Sequence, residues 1–242
     1  MSGDNLPPPS TVVDMYKSNG IANMRLYAPD QAALQSVGGT GIGVVVGAPN
    51  DGLDHVRVTT SVSQAILGGY KPPSQAEFTS EAQGFMGPVL KFLARTGAPL
   101  MASVYPYFTY ATNPSIMDVS YALFTAPGAV MQDGSYEYQN LFDATVDSFY
   151  VAMGNNGGSG VPLVVAESGW PSSGGIAASP ENAAIYNQNL INHVGRGTPR
   201  HPGAIETYLF SMFNENLKES GVEQNWGLFY PNMKSVYPIS FN

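Results

Sequence analysis

The chain of 242 residues contains no cysteine, which excludes disulfide staples and thiolate metal sites and leaves its redox compartment unread. Cationic side chains are scarce: 10 Lys and Arg stand against 18 Asp and Glu, for a formal net charge of −8. Nucleic acids and anionic membranes are bound through basic patches that displace counterions, so neither is expected as a partner. No apolar run approaches the roughly 18 residues of a membrane-spanning helix. Met1 to Ser10 holds an aspartate and three prolines where a basic region and an apolar run would mark a signal peptide, so none is read in this chain. The three histidines, His55, His193 and His201, lack metal-ligand spacing. Neither metal nor cofactor is expected.

Glycine and proline are plentiful instead, with 27 and 19 residues, about a fifth of the chain against a usual share of about 12 %. Charged residues are only 12 %, about half the common fraction. This describes a loop-rich, weakly charged protein suited to a neutral ligand. Its length fits one domain spanning 1–242, and a full barrel of eight β/α units takes about 250 residues.

Along the chain, Ser10 reads as the cap of a short helix through Val12, Val13 and Tyr16, stopped by Gly20. A strand over 23–27, a helix over 30–37 and a β-branched strand over 42–46 follow. Then Asn50-Asp51-Gly52-Leu53-Asp54 leads at once into a strand over 56–62. Adjacent parallel strands need a crossover of a dozen or more residues. Here about five intervene, so either a helix and strand are missing or Asp51-Gly52 turns a hairpin. Downstream, Ser80 with Gln83 makes a capping box for a helix with Ala82, Phe85, Met86, Val89 and Leu93 on one face, kinked at Pro88 and closed by Gly97. A strand spans 99–105. From 106 to about 135 no helical period is present, which reads as a long functional loop. A helix carries Phe142, Thr145, Val146, Phe149 and Met153. Another is capped by Ser179, opens with Pro180, buries Tyr186, Leu190 and Val194, and ends at Gly195. The last strand covers 205–213.

Between those two helices lies Leu163 to Gly175, LVVAESGWPSSGG. Four apolar residues form a strand buried on both faces of a parallel sheet and place Glu167 at its C-terminal end, where barrels of alternating strands and helices hold their chemistry. A lone glutamate after a strand is as readily a solvated loop carboxylate. Glu215 follows the last strand in the same manner and is expected to reach the same mouth.

The stretch ESGWPSSGG, together with MRLYAP at 24–29, GIGVVVGAPND at 41–51, VYPYF at 104–108 and ETYLFSMFNEN at 206–216, resembles the plant endo-1,3-β-glucanases of glycoside hydrolase family seventeen over nearly the whole chain. The resemblance implies an α/β fold of the TIM (β/α)8 type and a retaining enzyme acting, as a monomer, on 1,3-β-glucan polysaccharide. Glu167 would be its nucleophile, Glu215, Lys218 and Glu223 a supporting polar cluster, and the compartment the cell exterior or the vacuole. Tyr27, Tyr105, Tyr107, Phe108, Trp170 and Trp226 are the aromatic candidates for binding sugar rings. Two departures stand out. The family has a first strand before its NLPPPS-like segment, and it ends its fourth strand with Gly-Asn-Glu, whose glutamate is the acid/base. This chain has neither. The expected barrel is therefore incomplete, with about six strands and the first and fourth units missing, and its activity is expected to be impaired. The alternatives are a non-catalytic β-glucan-binding protein or a non-functional truncated product.

Overall fold

A computed structural model describes residues 2–47, 58–68 and 72–241; the junction at 50–54, the start of the strand expected over 56–62, and His55 lie outside them. Two compact units are present, one of Met1–Val56, Pro171–Ala184 and Phe210–Asn242, the other of Arg57–Trp170 and Ile185–Leu209.

In the first unit, α1 (Pro9–Ser18) precedes a β-α-β crossover made by β1 (Asn23–Leu26), α2 (Gln31–Val37) and β2 (Gly43–Val46), with β1 and β2 running parallel from Asn23↔Gly43 to Leu26↔Val46. Val13, Met24 and Val37 form its buried centre, with Tyr16, Leu26, Ile42 and Val44 packed against them. Helix α1 starts one residue before the expected Ser10 cap, with Pro9 at its first position and no capping side chain. A proline there has a preset φ and lacks an N–H that would go unpaired anyway. Asp30 caps α2, accepting from the Ala33 N–H at 2.7 Å.

The second unit holds β3 (Ser61–Ser63), α3 (Ser80–Thr96), β4 (Leu100–Ser103), α4 (Pro106–Thr112), α5 (Val119–Ala122), β5 (Met131–Asp133), β6 (Tyr136–Tyr138), α6 (Leu141–Asn155), β7 (Leu163–Ser168) and β8 (Thr207–Leu209). Helix α7 (Pro180–His193) has residues in both units. Strands β3, β4, β7 and β8 form a parallel sheet in that order, and five of the six β7 residues are buried, as its unbroken apolar run requires. Six parallel strands are thus found among the described residues, in sheets of two and four that do not close.

The stretch 106–135 is structured, contrary to the reading of a long loop. Helices α4 and α5 have seven and four residues, too few turns for a 3.6-residue period to show. Strands β5 and β6 pair as a hairpin across Gly134, whose φ of 63° suits glycine. The α3 cap is Thr79 rather than Ser80, accepting from the Ala82 N–H.

Buried polar groups tie the hairpin, α6 and the segment after α7 together. The fully buried Asp147 accepts from Thr198 Oγ1, from Tyr138 Oη at 2.9 Å and from the Arg200 N–H at 3.1 Å, and pairs with His201. Arg200 reaches Asp133 at 2.7 Å and lies over the Tyr136 ring. Burial pushes the Asp133 carboxyl up, but hydrogen bonds from Ser74 and Arg200 and the guanidinium charge outweigh it and hold the group below the usual carboxylate range. A depressed carboxylate stabilises the fold above its unfolded value, about pH 4, and loses that contribution as pH falls through the folded one. Asp133→Asn should therefore lower the thermal midpoint at neutral pH and make its decline in acid shallower. Parallel acid declines for the two chains would contradict this.

Candidate functional site

Glu167 is the fifth residue of β7 and half-buried at the carboxyl edge of the four-stranded sheet. A register shift between Ala102 and Ser103 sets Ser103 opposite Glu167, and the Val104 N–H donates to the Glu167 carbonyl at 2.9 Å. Beyond that rung, Tyr105 turns its hydroxyl to the carboxylate, donating to Glu167 Oε2 at 3.0 Å. Both line a cavity of about 610 Å³, with Gln64, Ser103, Phe108 and Thr109 among its other walls. Strand alternation sends the next residue the other way: Ser168 is buried and shares a 2.6 Å hydrogen bond with the hydroxyl of the buried Tyr186. Burial pushes the Tyr186 hydroxyl up, so it stays protonated at neutral pH.

The expected aromatics divide by burial. Tyr105 and Phe108 meet edge to face at 5.5 Å on the cavity, with Phe108 39 % exposed. Tyr107 and Trp170 are buried behind it, their rings 5.1 Å apart and near perpendicular, and Trp170 also meets Tyr186 at 5.5 Å. They are core residues that back the site rather than line it.

In the first unit, Lys218 Nζ pairs with Glu215 Oε2 at 2.9 Å, and Glu215 also accepts from the Ser2 N–H. Lys218 lies 4.3 Å over the Phe210 ring, and Phe210 meets both Tyr27 and the buried Trp226 at 6.1 Å. Arg25 covers the Tyr27 ring at 4.6 Å. Glu223 sits on a short turn at Val222–Gln224. Phe210 is the hub of this cluster, and the strand expected over 205–213 gave no reason to single it out. Glu167 and Glu215 belong to different units. Among the described residues no group of three or more His, Cys, Asp or Glu could hold a metal, and His193 and His201 pair with Asp143 and Asp147.

The profile of the family described as glycosyl hydrolases family 17 matches residues 1–56 and 51–241. The chain is 59 % identical to Lichenase-2 of Hordeum vulgare over 300 aligned positions, covering all of this chain and 96 % of the other. It is 43 % identical to an acidic glucan endo-1,3-beta-glucosidase of Zea mays, covering all of this chain and 90 % of that one. Among solved structures, one from a study of two plant beta-glucan endohydrolases with distinct substrate specificities superposes with a TM-score of 0.96 at 59 % identity, covering 100 % of this chain and 98 % of the other.

The division of the aromatics is open to measurement. Trp170→Ala should cost about 3–5 kcal/mol in denaturant unfolding, the range for emptying a packed aromatic site. Phe108→Ala should cost less than about 1.5 kcal/mol, nearer the surface range. Equal losses would undo the assignment of Trp170 to the core.

Proposed function

Since this chain belongs to family 17 of the glycosyl hydrolases, its chemistry is glycosidic bond cleavage, and we propose that Glu167 is the nucleophile of a retaining β-glucan endohydrolase. The observation that carries the reading is the Glu167 carboxylate at the end of a parallel strand, on a cavity, with a hydroxyl from Tyr105 on one oxygen. That bond orients one oxygen of the carboxylate toward the protein. Glu167 would attack the anomeric carbon, the bond to the leaving oxygen would break, and the electron pair would depart with that oxygen. Phe108 and Tyr105 offer aromatic surface to the sugar, while Glu215, Lys218, Glu223, Tyr27 and Trp226 are proposed as further binding and supporting groups. The substrate is a 1,3-β-glucan. Lichenan is the second reading, favoured by the higher identity to the barley lichenase than to the maize enzyme. The compartment proposed is the cell exterior or the vacuole; no helix of the described residues is long and apolar enough to cross a membrane.

A retaining glycosidase needs a second carboxyl group about 5–5.5 Å from the first to protonate the leaving oxygen. We place the loss of that group at the junction near Asp51. Gly-Asn-Glu is absent from the sequence. The two stretches matched by the family profile overlap at 51–56, and the barley alignment has 300 positions where this chain has 242 residues. Glu215 is a poor substitute, because its carboxylate is already engaged by the Lys218 ammonium and the Ser2 N–H.

Unactivated 1,3-β-glucan should then be hydrolysed about 10²- to 10⁴-fold more slowly than by an intact relative, the contribution of general acid catalysis. A dinitrophenyl oligoglucoside departs without protonation, so it should give a burst of dinitrophenolate and a covalent adduct that mass spectrometry finds on Glu167. Azide, which needs no general base, should speed release as the glycosyl azide. Laminarin hydrolysis unaffected by Glu167→Ala would refute the nucleophile. Glucan binding with no adduct from the activated substrate would indicate a binding protein instead.

A further inference from the structure

Strand β3 stops pairing with β4 at Ser63↔Ser103, because its chain turns away into a 3-10 turn, Gln64–Ile66, capped by Ser63. Two residues beyond that rung Tyr105 carries the hydroxyl that meets Glu167, and its own N–H and C=O face the edge that β3 has left. The primary amide of Gln64 fills the vacated rung. Gln64 Oε1 accepts from the Tyr105 N–H at 2.7 Å, and Gln64 Nε2 donates to the Tyr105 carbonyl at 3.1 Å. The same nitrogen reaches Thr109 Oγ1, on α4, at 3.2 Å. One side chain thus supplies a donor and an acceptor in the geometry of a peptide group and ties the end of β4 to the helix that carries Phe108. A primary amide can do this because it presents both functions in one plane, as the backbone does.

The geometry points to Gln64 as a positioning residue for the nucleophile, acting through Tyr105. The inference rests on the assignment of Glu167. On one side Tyr105 is held by its backbone to Gln64, and on the other its hydroxyl holds Glu167 Oε2, so the amide sets where that hydroxyl can sit. Release of the clamp lets the Tyr105 backbone and the first turn of α4 shift together. A misplacement of about 1 Å at a reacting group is enough to cost on the order of 10²-fold in rate.

The test uses the dinitrophenyl oligoglucoside in single-turnover experiments, which separate binding from formation of the glycosyl-enzyme. Gln64→Met keeps the length and bulk of the side chain and removes its donors and its carbonyl acceptor. It should slow adduct formation on Glu167 by about tenfold, the scale of one to two ordinary hydrogen bonds, while the apparent dissociation constant changes by less than about twofold. In a Tyr105→Phe background the same substitution should change the rate by less than about threefold, since the group it acts through has lost its hydroxyl. Should Gln64→Met fail to fold, Gln64→Glu serves instead: it keeps the acceptor for the Tyr105 N–H, sets a carboxylate oxygen against the Tyr105 carbonyl in place of the donor, and should show a slowing with the same dependence on Tyr105. An adduct formed at the parent rate, or equal slowing with and without the Tyr105 hydroxyl, overturns the positioning role alone. No adduct in the parent chain overturns the nucleophile and this inference with it.

Discussion

Parallel strands deliver their carboxyl ends to one edge of a sheet, and the candidate site of this chain depends on that constraint. The pairing of β4 with β7 sets Ser103 beside Glu167 and the Val104 N–H on the Glu167 carbonyl. Everything after that rung follows from it. Tyr105, one residue on, leaves the ladder within reach of the carboxylate. The register shift at Ala102/Ser103 matters for the same reason, since a one-residue slip would send Glu167 and Ser168 to each other's faces. Ser168 is bonded to Tyr186 in the core, which makes the slip costly: it would bring a carboxylate to a buried hydroxyl.

Behind the edge, two kinds of packing keep it in place. Trp170, just after β7, packs with Tyr107 of α4 and Tyr186 of α7 into a buried aromatic wall. Around α6, the carboxylates of Asp147 and Asp133 gather donors from Tyr138, Thr198, Ser74 and Arg200. Burial and the Asp147 carboxylate push the Tyr138 hydroxyl up, so it remains a donor. Buried charges are tolerated only when satisfied in this way, and the network joins the hairpin, α6 and the segment after α7 into one support.

Much of this was legible in the residues. The apolar run at 163–166 announced a doubly buried strand with Glu167 at its end. The other parallel strands also fall on the runs that indicated them, though shorter: the strand read over 205–213 is regular only at Thr207–Leu209, and β3 overlaps only the end of its run. Periodicity failed where elements are short, so α4, α5 and the β5–β6 hairpin went unseen. It also could not sort aromatics by depth. Trp170 and Phe108 both follow strands in aromatic-rich surroundings, and only tertiary packing decides that one is buried and the other open. Gln64 left no signal of its own. A glutamine after a strand reads as one more solvated side chain until the strand is seen to turn away and leave a rung vacant.

The place of the proposed junction bears on how the Glu167 side of the site is held. Strand β2 pairs with β1 and strand β3 with β4. The strands, the hairpin and α6 that shape the Glu167 cavity all lie in 57–170, one uninterrupted stretch on the C-terminal side of that point. The hydrogen bonds from Val104, Tyr105 and Gln64 that set Glu167 do not cross it. A ladder is held rung by rung through its immediate neighbours, so the proposed loss of a unit outside β3 would expose one edge without displacing the rungs at β4 and β7. The proton donor would have no such protection, because in a retaining glycosidase it comes from a separate group across the scissile bond. Under the proposed reading attack and protonation come from different strands, and a cut between β2 and β3 would separate them.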